Sequence, residues 1–461
     1  MLTSISGFPE LLPRDQIIFN QIVDTIRYQF ELHGFTPFDS PSVEKTSVLL
    51  SKGNDSEIYG IHRLADSDGK KDLGLRFDLT VPLARYVAQR CGQLTFPYRR
   101  YQIGQVWRGE RPQAGRYRQF CQGDIDIIGD GDLSLSHDVE MVLIIHRIFR
   151  AIGVGNIIIR MNNCSILKGL LLLLGVAEDN LARVMRVIDK ADKISANQLK
   201  ISLMQEGMTE DNAEELMIIL TITRKGEQIF HPTILDELLE KFDPRNGQIH
   251  AGLEQGEQAT YGYRILESGI LELQEVVKLA TELGLPDNII AINLSLARGL
   301  SYYTGTLYEV QLREYPEIGS VCGGGRYENL VANFTNRKLP GVGISIGITR
   351  LVAKLLEVGI LQGKTSTIAQ VLVTNQNTKL TSYYMIIGDT LRAGGINTEV
   401  YLQDKPLGHQ MKYADKKGFK IAMIADESEF TDGNVIVRDL RNGQQECTKV
   451  ESALHIVKQM L

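Results

Sequence analysis

The sequence predicts an α+β protein with one large antiparallel sheet, a helical insertion and a smaller C-terminal α/β domain. Three observations predict it. Short apolar or alternating runs separated by turns fill residues 75–130 (LRFDLTVP, YRRYQIGQVWR, RQFCQGDIDIIG), and similar runs return at IIAINLSL, LYEVQL and VGISIG. Between them, residues 165–262 are helix-rich, with ARVMRVIDKADK, AEELMIILTITR and TILDELLEKF and few strand signals. Beyond residue 367, strand-like and helix-like segments alternate. A sheet interrupted and resumed in this way is α+β rather than doubly wound. A chain of 461 residues is also too long for one small core. The expected division is residues 1–164 and 263–360 for the two parts of the main domain, 165–262 for the insertion and 367–461 for the last domain.

Element by element, the chain opens with Pro13-Arg14-Asp15 before IIFNQIVDTIRYQFELHGF. There Ile17, Ile18, Ile22, Ile26 and Phe30 recur at roughly helical spacing, and Gly34 ends the helix. FTPFDSP then reads as a strand closed by Pro41. LRFDLTVP, YRRYQIGQVWR and RQFCQGDIDIIG read as antiparallel strands, followed by HDVEMVLIIHRIFRAIG as a helix. In the last domain VLVTN, a helix to Gly394-Gly395, TEVYL, a helix HQMKYADKKG, KIAMIA and NVIVRDL alternate strand and helix. There is no internal repeat and no low-complexity tract.

Composition is that of an ordinary soluble globular protein, which excludes disordered and fibrous classes. No run of eighteen apolar residues occurs, and the densest tract is five leucines at residues 170–174. The start, MLTSISGFPELLPRD, lacks a basic region followed by an apolar one, so a cytoplasmic protein without membrane association is expected. Cys91, Cys121, Cys164, Cys322 and Cys447 are scattered without a C-x-x-C pair, as reduced packing thiols are. The eight histidines hold no H-x-x-x-H pair, so no protein-ligated catalytic metal is expected. A net charge of −6 argues against a nonspecific nucleic-acid coat. Residues 99–118 nonetheless hold Arg99, Arg100, Arg108, Arg111, Arg116 and Arg118 against the single acid Glu110. Such a local cationic strip suits a defined anionic ligand, a nucleotide or one end of a tRNA.

Five segments carry candidate chemistry. In VWRGERP, Arg108 and Glu110 share a face if the chain is extended, and Arg108 suits a phosphate or carboxylate while Glu110 suits an exocyclic amine. In RFDLTVP, Asp78 and Thr80 share a strand face, and a carboxylate with a hydroxyl holds an ammonium. Taken singly, each pair reads better as surface polar structure, an ion pair on a strand in the first and a turn or edge-strand pair in the second. LARGLSYYTGTLYEV sets Arg298 before two adjacent tyrosines, which in a strand point one inward and one outward. CGGGRYENLV leads three glycines into Arg326-Tyr327, and such glycines permit close backbone approach. They match neither the Walker nor the Rossmann glycine pattern. GVGISIGITRL is a small-residue strand entering a helix with Arg350 in its early part, where an arginine meets a polyphosphate or solvent.

In this order and at these spacings, the set resembles histidyl-tRNA synthetases of the class II synthetase superfamily. GFPELLP and HGFTPFDSPSVE, with Pro41, look like the opening and the first class II motif; WRGERPQAGRYRQFCQGDIDIIG is similar to the second; GVGISIGITRL resembles the third, with Arg350 as its arginine. ARGLSYYTGTLYEV and GGGRYENLV resemble the two segments that distinguish the histidine enzymes from their relatives. The tail, from VLVTN through YADKKGFKIAMIADESE, looks like the anticodon-binding domain of this subgroup, and VIDKADK in the insertion fits the family pattern. The resemblance covers almost the whole chain.

It implies a class II antiparallel-sheet catalytic domain with a helical insertion and an α/β anticodon-binding domain. It implies ATP-dependent formation of histidyl-adenylate and transfer to the 3′ end of tRNA(His), with Mg²⁺ bound through the ATP phosphates, in a homodimer. Arg108 is then expected on the α-phosphate, Glu110 on the adenine amine, Arg350 on the distal phosphates and Arg298 on the α-phosphate from the opposite side; Arg116 joins the ATP contacts. For histidine, Asp78, Leu79, Thr80 and Gln122 match the α-amino side, and Asp126 and Tyr303, with Tyr327 and Tyr302 beside them, the imidazole side. Gln113 and Arg116 lie in the loop that meets the tRNA acceptor end. The family commonly has aspartate where Ser301 stands, so a contact near Tyr303 is expected to differ. The main rival is a non-catalytic relative, the regulatory subunit of ATP phosphoribosyltransferase, which expects loss of motif arginines and no anticodon-binding tail. Arg108, Arg298 and Arg350 are present, as is such a tail. A second rival, a module sensing uncharged tRNA inside a larger regulator, is disfavoured by a chain that begins and ends in the synthetase pattern.

Overall fold

The structure is a computed structural model. It describes residues 3–52, 62–64, 69, 72–109, 111, 115–191, 194–225, 232–246, 257–286, 288–297, 302–328, 331–332 and 334–461. The chain divides into two compact units, residues 1–9 with 22–357 and residues 10–21 with 358–461.

The first unit is built on an eight-stranded sheet. Its strands, in chain order, are β1 (Thr36–Pro37), β5 (Tyr98–Trp107), β6 (Gln119–Ile128), β7 (Ile157–Asn163), β8 (Ile290–Ile292), β9 (Tyr303–Leu312), β10 (Cys322–Tyr327) and β11 (Gly341–Ile346). β2 (Val43–Lys45), β3 (Arg63–Leu64) and β4 (Leu73–Leu75) form a separate three-stranded sheet in the order β2-β4-β3. The spatial order of the large sheet is β1-β5-β6-β11-β10-β9-β7-β8. All central pairings are antiparallel; only the edge pairs β1–β5 and β7–β8 run parallel. The α+β expectation holds.

β5 and β6 form the longest hairpin, in register from Tyr98 opposite Ile128 to Trp107 opposite Gln119. Period-2 alternation sends Ile125 and Ile127 to one face of β6 and Gln122, Asp124 and Asp126 to the other. On the apolar side, Ile26 of the helix Pro13–Leu32 and Ile348 of the helix Ile348–Glu357 pack over Gly123. The helix Cys164–Leu173 crosses the long helix Glu257–Glu282 at close range, because a Cβ on Gly169 would lie 2.5 Å from Leu266 N and 2.8 Å from Gly262 O.

Two local expectations need correction. LRFDLTVP is not one strand. β4 ends at Leu75 and a helix begins at Thr80, because the Asp78 carboxylate accepts the Val81 N–H at 3.0 Å and satisfies one of the open donors of a helix start. Asp78 and Thr80 therefore sit at a helix entrance, not on a strand face. FTPFDSP contributes only the two-residue β1.

The second unit holds a five-stranded sheet of β12 (Val371–Val373), β13 (Thr398–Val400), β14 (Ile421–Ile424), β15 (Asn434–Asp439) and β16 (Gln445–Lys449), in the order β13-β12-β14-β15-β16. The first three are parallel, as their intervening helices require, and the last two close antiparallel. Val371, Val373, Tyr384, Ile387, Ile421 and Val457 are among its core residues, and Tyr384 Oη donates to the Ala425 carbonyl at 2.9 Å. Among the described residues, no helix is long and apolar enough to cross a membrane.

Candidate active site

The polar face of β6 organises the site. Opposite Asp126 stand Arg100 of β5 and Gly343 of β11; opposite Asp124 stand Gln102 and Ser345. Further across, Gly325 faces Gly343 and Gly323 faces Ser345. The middle of this face is thus bare backbone, bounded by acids on one side. A Cβ on Gly343 would overlap Asp126 Oδ1 and come within 2.5 Å of the Ile125 carbonyl oxygen, so only glycine fits there.

Asp126 is clamped. Arg100, wholly buried, pairs its Nη2 with Asp126 Oδ2, and Tyr327 Oη donates to Oδ1 at 2.9 Å. Arg100 Nε and Nη1 find no hydrogen-bond partner. Tyr302 and Tyr303 stack with ring centroids 4.1 Å apart, and both join the apolar cluster of Leu83, Ile128, Tyr327 and Leu339. One does not point inward and the other outward, because Tyr302 lies in the turn before β9 rather than in the strand. Burial pushes the Tyr303 and Tyr327 hydroxyls well above their ordinary range, so both remain neutral donors.

The helix entrance with Asp78, buried Leu79 and Thr80 is tied down from below. Arg76 donates to the Gln105 carbonyl at 2.9 Å, to the Ser40 carbonyl and to Ser40 Oγ at 3.1 Å. The Trp107 N–H donates to the Arg76 carbonyl at 2.9 Å, and Arg108 Nε donates to the Phe77 carbonyl at 3.3 Å. Arg108 also covers the Phe120 ring at 4.9 Å. It follows the end of β5 and lies beside the helix entrance instead of extending the strand. Arg350, third residue of its helix, donates to the Ile318 carbonyl at 2.6 Å and has Gly115 close to its Nε. The Thr349 hydroxyl accepts the Cys121 N–H at 2.8 Å, fastening that helix to β6. Arg116 is exposed.

The structure thus brings together Gln122, Asp126, Tyr302, Tyr303 and Tyr327, and sets Asp78, Leu79, Thr80 and Arg108 as one group. Arg298, Glu110, Gln113 and Ser301 lie outside the described residues. The cationic strip is partly dissolved: Arg100 is internal, and Arg99 is bound by Glu140 and the His33 carbonyl while lying over Phe35. Buried strand arginines and solvent-facing loop arginines look alike in a sequence. Sequence reasoning passed over Asp124, Ser345 and Asn162; the Gln122-x-Asp124-x-Asp126 alternation pointed at the first. Asn162, fully buried on β7, donates to the carbonyls of Leu294 at 3.3 Å and Leu296 at 2.9 Å, and so holds the segment that leads to Arg298. All five cysteines are free, and burial pushes the Cys121 and Cys164 thiols up to about 12, where they are inert. Among the described residues, no group of three or more His, Cys, Asp or Glu side chains is placed to hold a metal ion.

The family model described as histidyl-tRNA synthetase matches residues 7–351, three quarters of the chain, and an anticodon binding domain model matches residues 370–460. This chain belongs to the histidyl-tRNA synthetase family. Its similarity to other members runs end to end. It is 40% identical over 455 residues to the histidine–tRNA ligase of Clostridium tetani, covering 98% of this chain and 97% of the relative. It is 40% identical over 453 residues to that of Stenotrophomonas maltophilia, covering 95% and 94%. The crystal structure of histidyl-tRNA synthetase from Nostoc sp. PCC 7120 superposes with a TM-score of 0.85 at 35% identity over all of both chains. A Bacillus halodurans structure described as an ATP phosphoribosyltransferase regulatory subunit/histidyl-tRNA synthetase gives 0.68 at 19% identity, covering 94% and 96%, and shares the fold.

Proposed function

We propose that this chain activates L-histidine with ATP and transfers it to the 3′ end of tRNA(His). A histidine carboxylate oxygen attacks the α-phosphorus; a carboxyl–phosphate bond forms, the bond to the bridging oxygen of the β-phosphate breaks, and pyrophosphate leaves. A tRNA terminal ribose hydroxyl then displaces AMP from the adenylate and gives its proton to solvent. The nucleophile is already an anion, so the protein's part is placement and charge stabilisation. Arg108, Arg298 and Arg350, with Arg116 at the loop, meet the phosphates; Glu110 meets the adenine amine. Magnesium enters on the ATP phosphates, as part of the substrate.

The observation that carries the reading is the clamped Asp126 carboxylate, set between Arg100 and Tyr327 on a glycine-bare face. A fixed acceptor suits an imidazole, which presents a donor nitrogen in either neutral tautomer. A polar site of this kind rejects analogues lacking the hydrogen bond by about 10⁴–10⁵. Asp78, Leu79, Thr80 and Gln122 take the amino end; Tyr302 and Tyr303 line the ring. Gln113 and Arg116 face the acceptor end of the tRNA, and the second unit reads anticodon bases by stacking and edge hydrogen bonds. The reading includes a cytoplasmic homodimer, which light scattering of the purified chain tests.

ATP–pyrophosphate exchange with each amino acid in turn tests the central claim. Exchange with histidine alone supports it. No exchange from a well-folded protein overturns it and favours the regulatory-subunit relative.

A further inference from the structure

Two buried acceptors on the polar face of β6 have no partner. Gln122 gives its Nε2 to Ser345 Oγ at 2.7 Å, which leaves its Oε1 buried and unbonded. Two residues on, Asp124 is 2% exposed, and its Oδ1 is likewise buried without a partner. Ser345 stands directly opposite Asp124 across β6 and β11. Buried acceptors are almost always satisfied in native proteins, so two such atoms side by side point to a donor that arrives with a ligand.

The Gln122 amide gives its NH₂ to the Ser345 oxygen, which leaves its carbonyl oxygen as the unbonded acceptor.

The charges around Asp124 favour a cation. From β5 it faces Gln102 and lies near Arg100, whose Nη2 pairs with Asp126 while its Nε and Nη1 find no hydrogen-bond partner; near it too are Asp126 and Cys121 of its own strand, Ser345 of β11, Cys322 of β10, and Asp78 and Arg76 at the helix entrance. Burial pushes its carboxyl up to about 7, with Arg100 and the polar Ser345 side chain opposing and Asp126 and Asp78 adding to the rise. An arriving ammonium would restore the charge that burial suppresses.

We propose that Asp124 and Ser345 form the inner half of the receptor for the histidine α-ammonium, Asp124 accepting from it directly and Ser345 orienting Gln122 to do the same. The proposal rests on the reading of the chain as histidine-activating. It makes Asp124 a binding residue and Ser345 a positioning residue.

The test compares two inhibitors of histidine-dependent pyrophosphate exchange: histidinol, which keeps the ammonium, and imidazolepropionate, which lacks it. Asp124→Asn should weaken histidinol about 10–100-fold, the range for a charge-assisted hydrogen bond, and leave imidazolepropionate within about threefold. Ser345→Ala, which removes no charge, should weaken histidinol about 5–10-fold with the same selectivity, because the Gln122 amide is freed to turn. Wild-type histidinol inhibition should tighten relative to Asp124→Asn as pH rises through 7. Equal loss for both inhibitors, or loss for neither, overturns the proposal; if Asp124→Asn does not fold, the selectivity of Ser345→Ala decides alone. Absence of histidine-dependent exchange in the wild-type chain would instead overturn the underlying reading.

Discussion

Tyr327 Oη donates to Asp126 Oδ1 at 2.9 Å while Arg100 pairs with the other oxygen of the same carboxylate. The two partners come from β10 and β5, on opposite sides of β6, so the carboxylate plane is fixed before any ligand arrives. The clamp uses the sheet itself as its frame, since Arg100 is opposite Asp126 in register and Tyr327 closes against Gly341, where a Cβ would strike its ring at 2.5 Å.

Asp126→Asn should therefore damage histidine recognition specifically. The amide offers an NH₂ where Arg100 and the substrate N–H both need an acceptor. Histidine KM in pyrophosphate exchange should rise about 10²-fold, as for loss of a hydrogen bond to a charged group, with ATP KM nearly unchanged. Tyr327→Phe, which removes one of two supports, should cost about 5–10-fold. Equal rises in both KM values for Asp126→Asn would mean the residue holds the sheet and not the substrate.

Asn162→Ala should slow chemistry more than binding. Its side-chain amide ties the carbonyls of Leu294 and Leu296, and Leu296 is two residues before Arg298. Misplacement of a positioned group by about 1 Å costs on the order of 10²-fold. The expected pattern is a fall in kcat of about 10–10² with histidine KM within threefold, partly restored in Asn162→Gln. A variant with unchanged kcat and a lower Tm would reduce Asn162 to a packing residue.

Arg298→Ala should reduce adenylation by about 10²–10³, the scale for one donor to developing transition-state charge. The loss belongs in kcat, and transfer from preformed histidyl-adenylate should suffer less. A pyrophosphate-exchange rate equal to wild type would remove Arg298 from the chemistry.

How far the sequence disclosed this site depends on whether the signal was local. The alternation in RQFCQGDIDIIG gave β6 and its polar face, and the structure joins Gln122 and Asp126 there as that pattern requires. Arg100 gave no such sign, because its partner lies 26 residues away and only the register of the β5–β6 hairpin makes them neighbours. RFDLTVP misled because its apolar alternation imitates a strand. Asp78 as a helix cap, with Pro82 tolerated in the first turn, was the competing signal. In the second unit, Asn442-Gly443 between β15 and β16 is a hairpin signal that the polar β16 concealed; Gly443 adopts φ +77° there.

The Arg99–Glu140 pair sets an acid-sensitive element of stability away from the site. Arg99 Nη1 and Nη2 donate to the two oxygens of Glu140 at 2.9 and 2.5 Å, and Nη2 also reaches the His33 carbonyl at 2.7 Å, joining β5, the helix Ser136–Ile152 and the turn after the first helix. Burial would raise the Glu140 carboxyl, but hydrogen bonds from His137 and Arg99 and the Arg99 charge outweigh it and hold it down to about 2. A carboxyl depressed in the folded state stabilises the fold fully above its unfolded value of 4.5, and that contribution is lost as pH falls toward 2. A tenfold change in proton affinity on folding corresponds to about 1.4 kcal/mol; with the pair partly exposed, solvent screening brings the expected contribution to about 1–2 kcal/mol. Glu140→Gln should therefore lower the urea midpoint at pH 7, and the gap to wild type should narrow steadily between pH 4.5 and pH 3. A gap that stayed constant over that range would show that the pair contributes shape rather than charge.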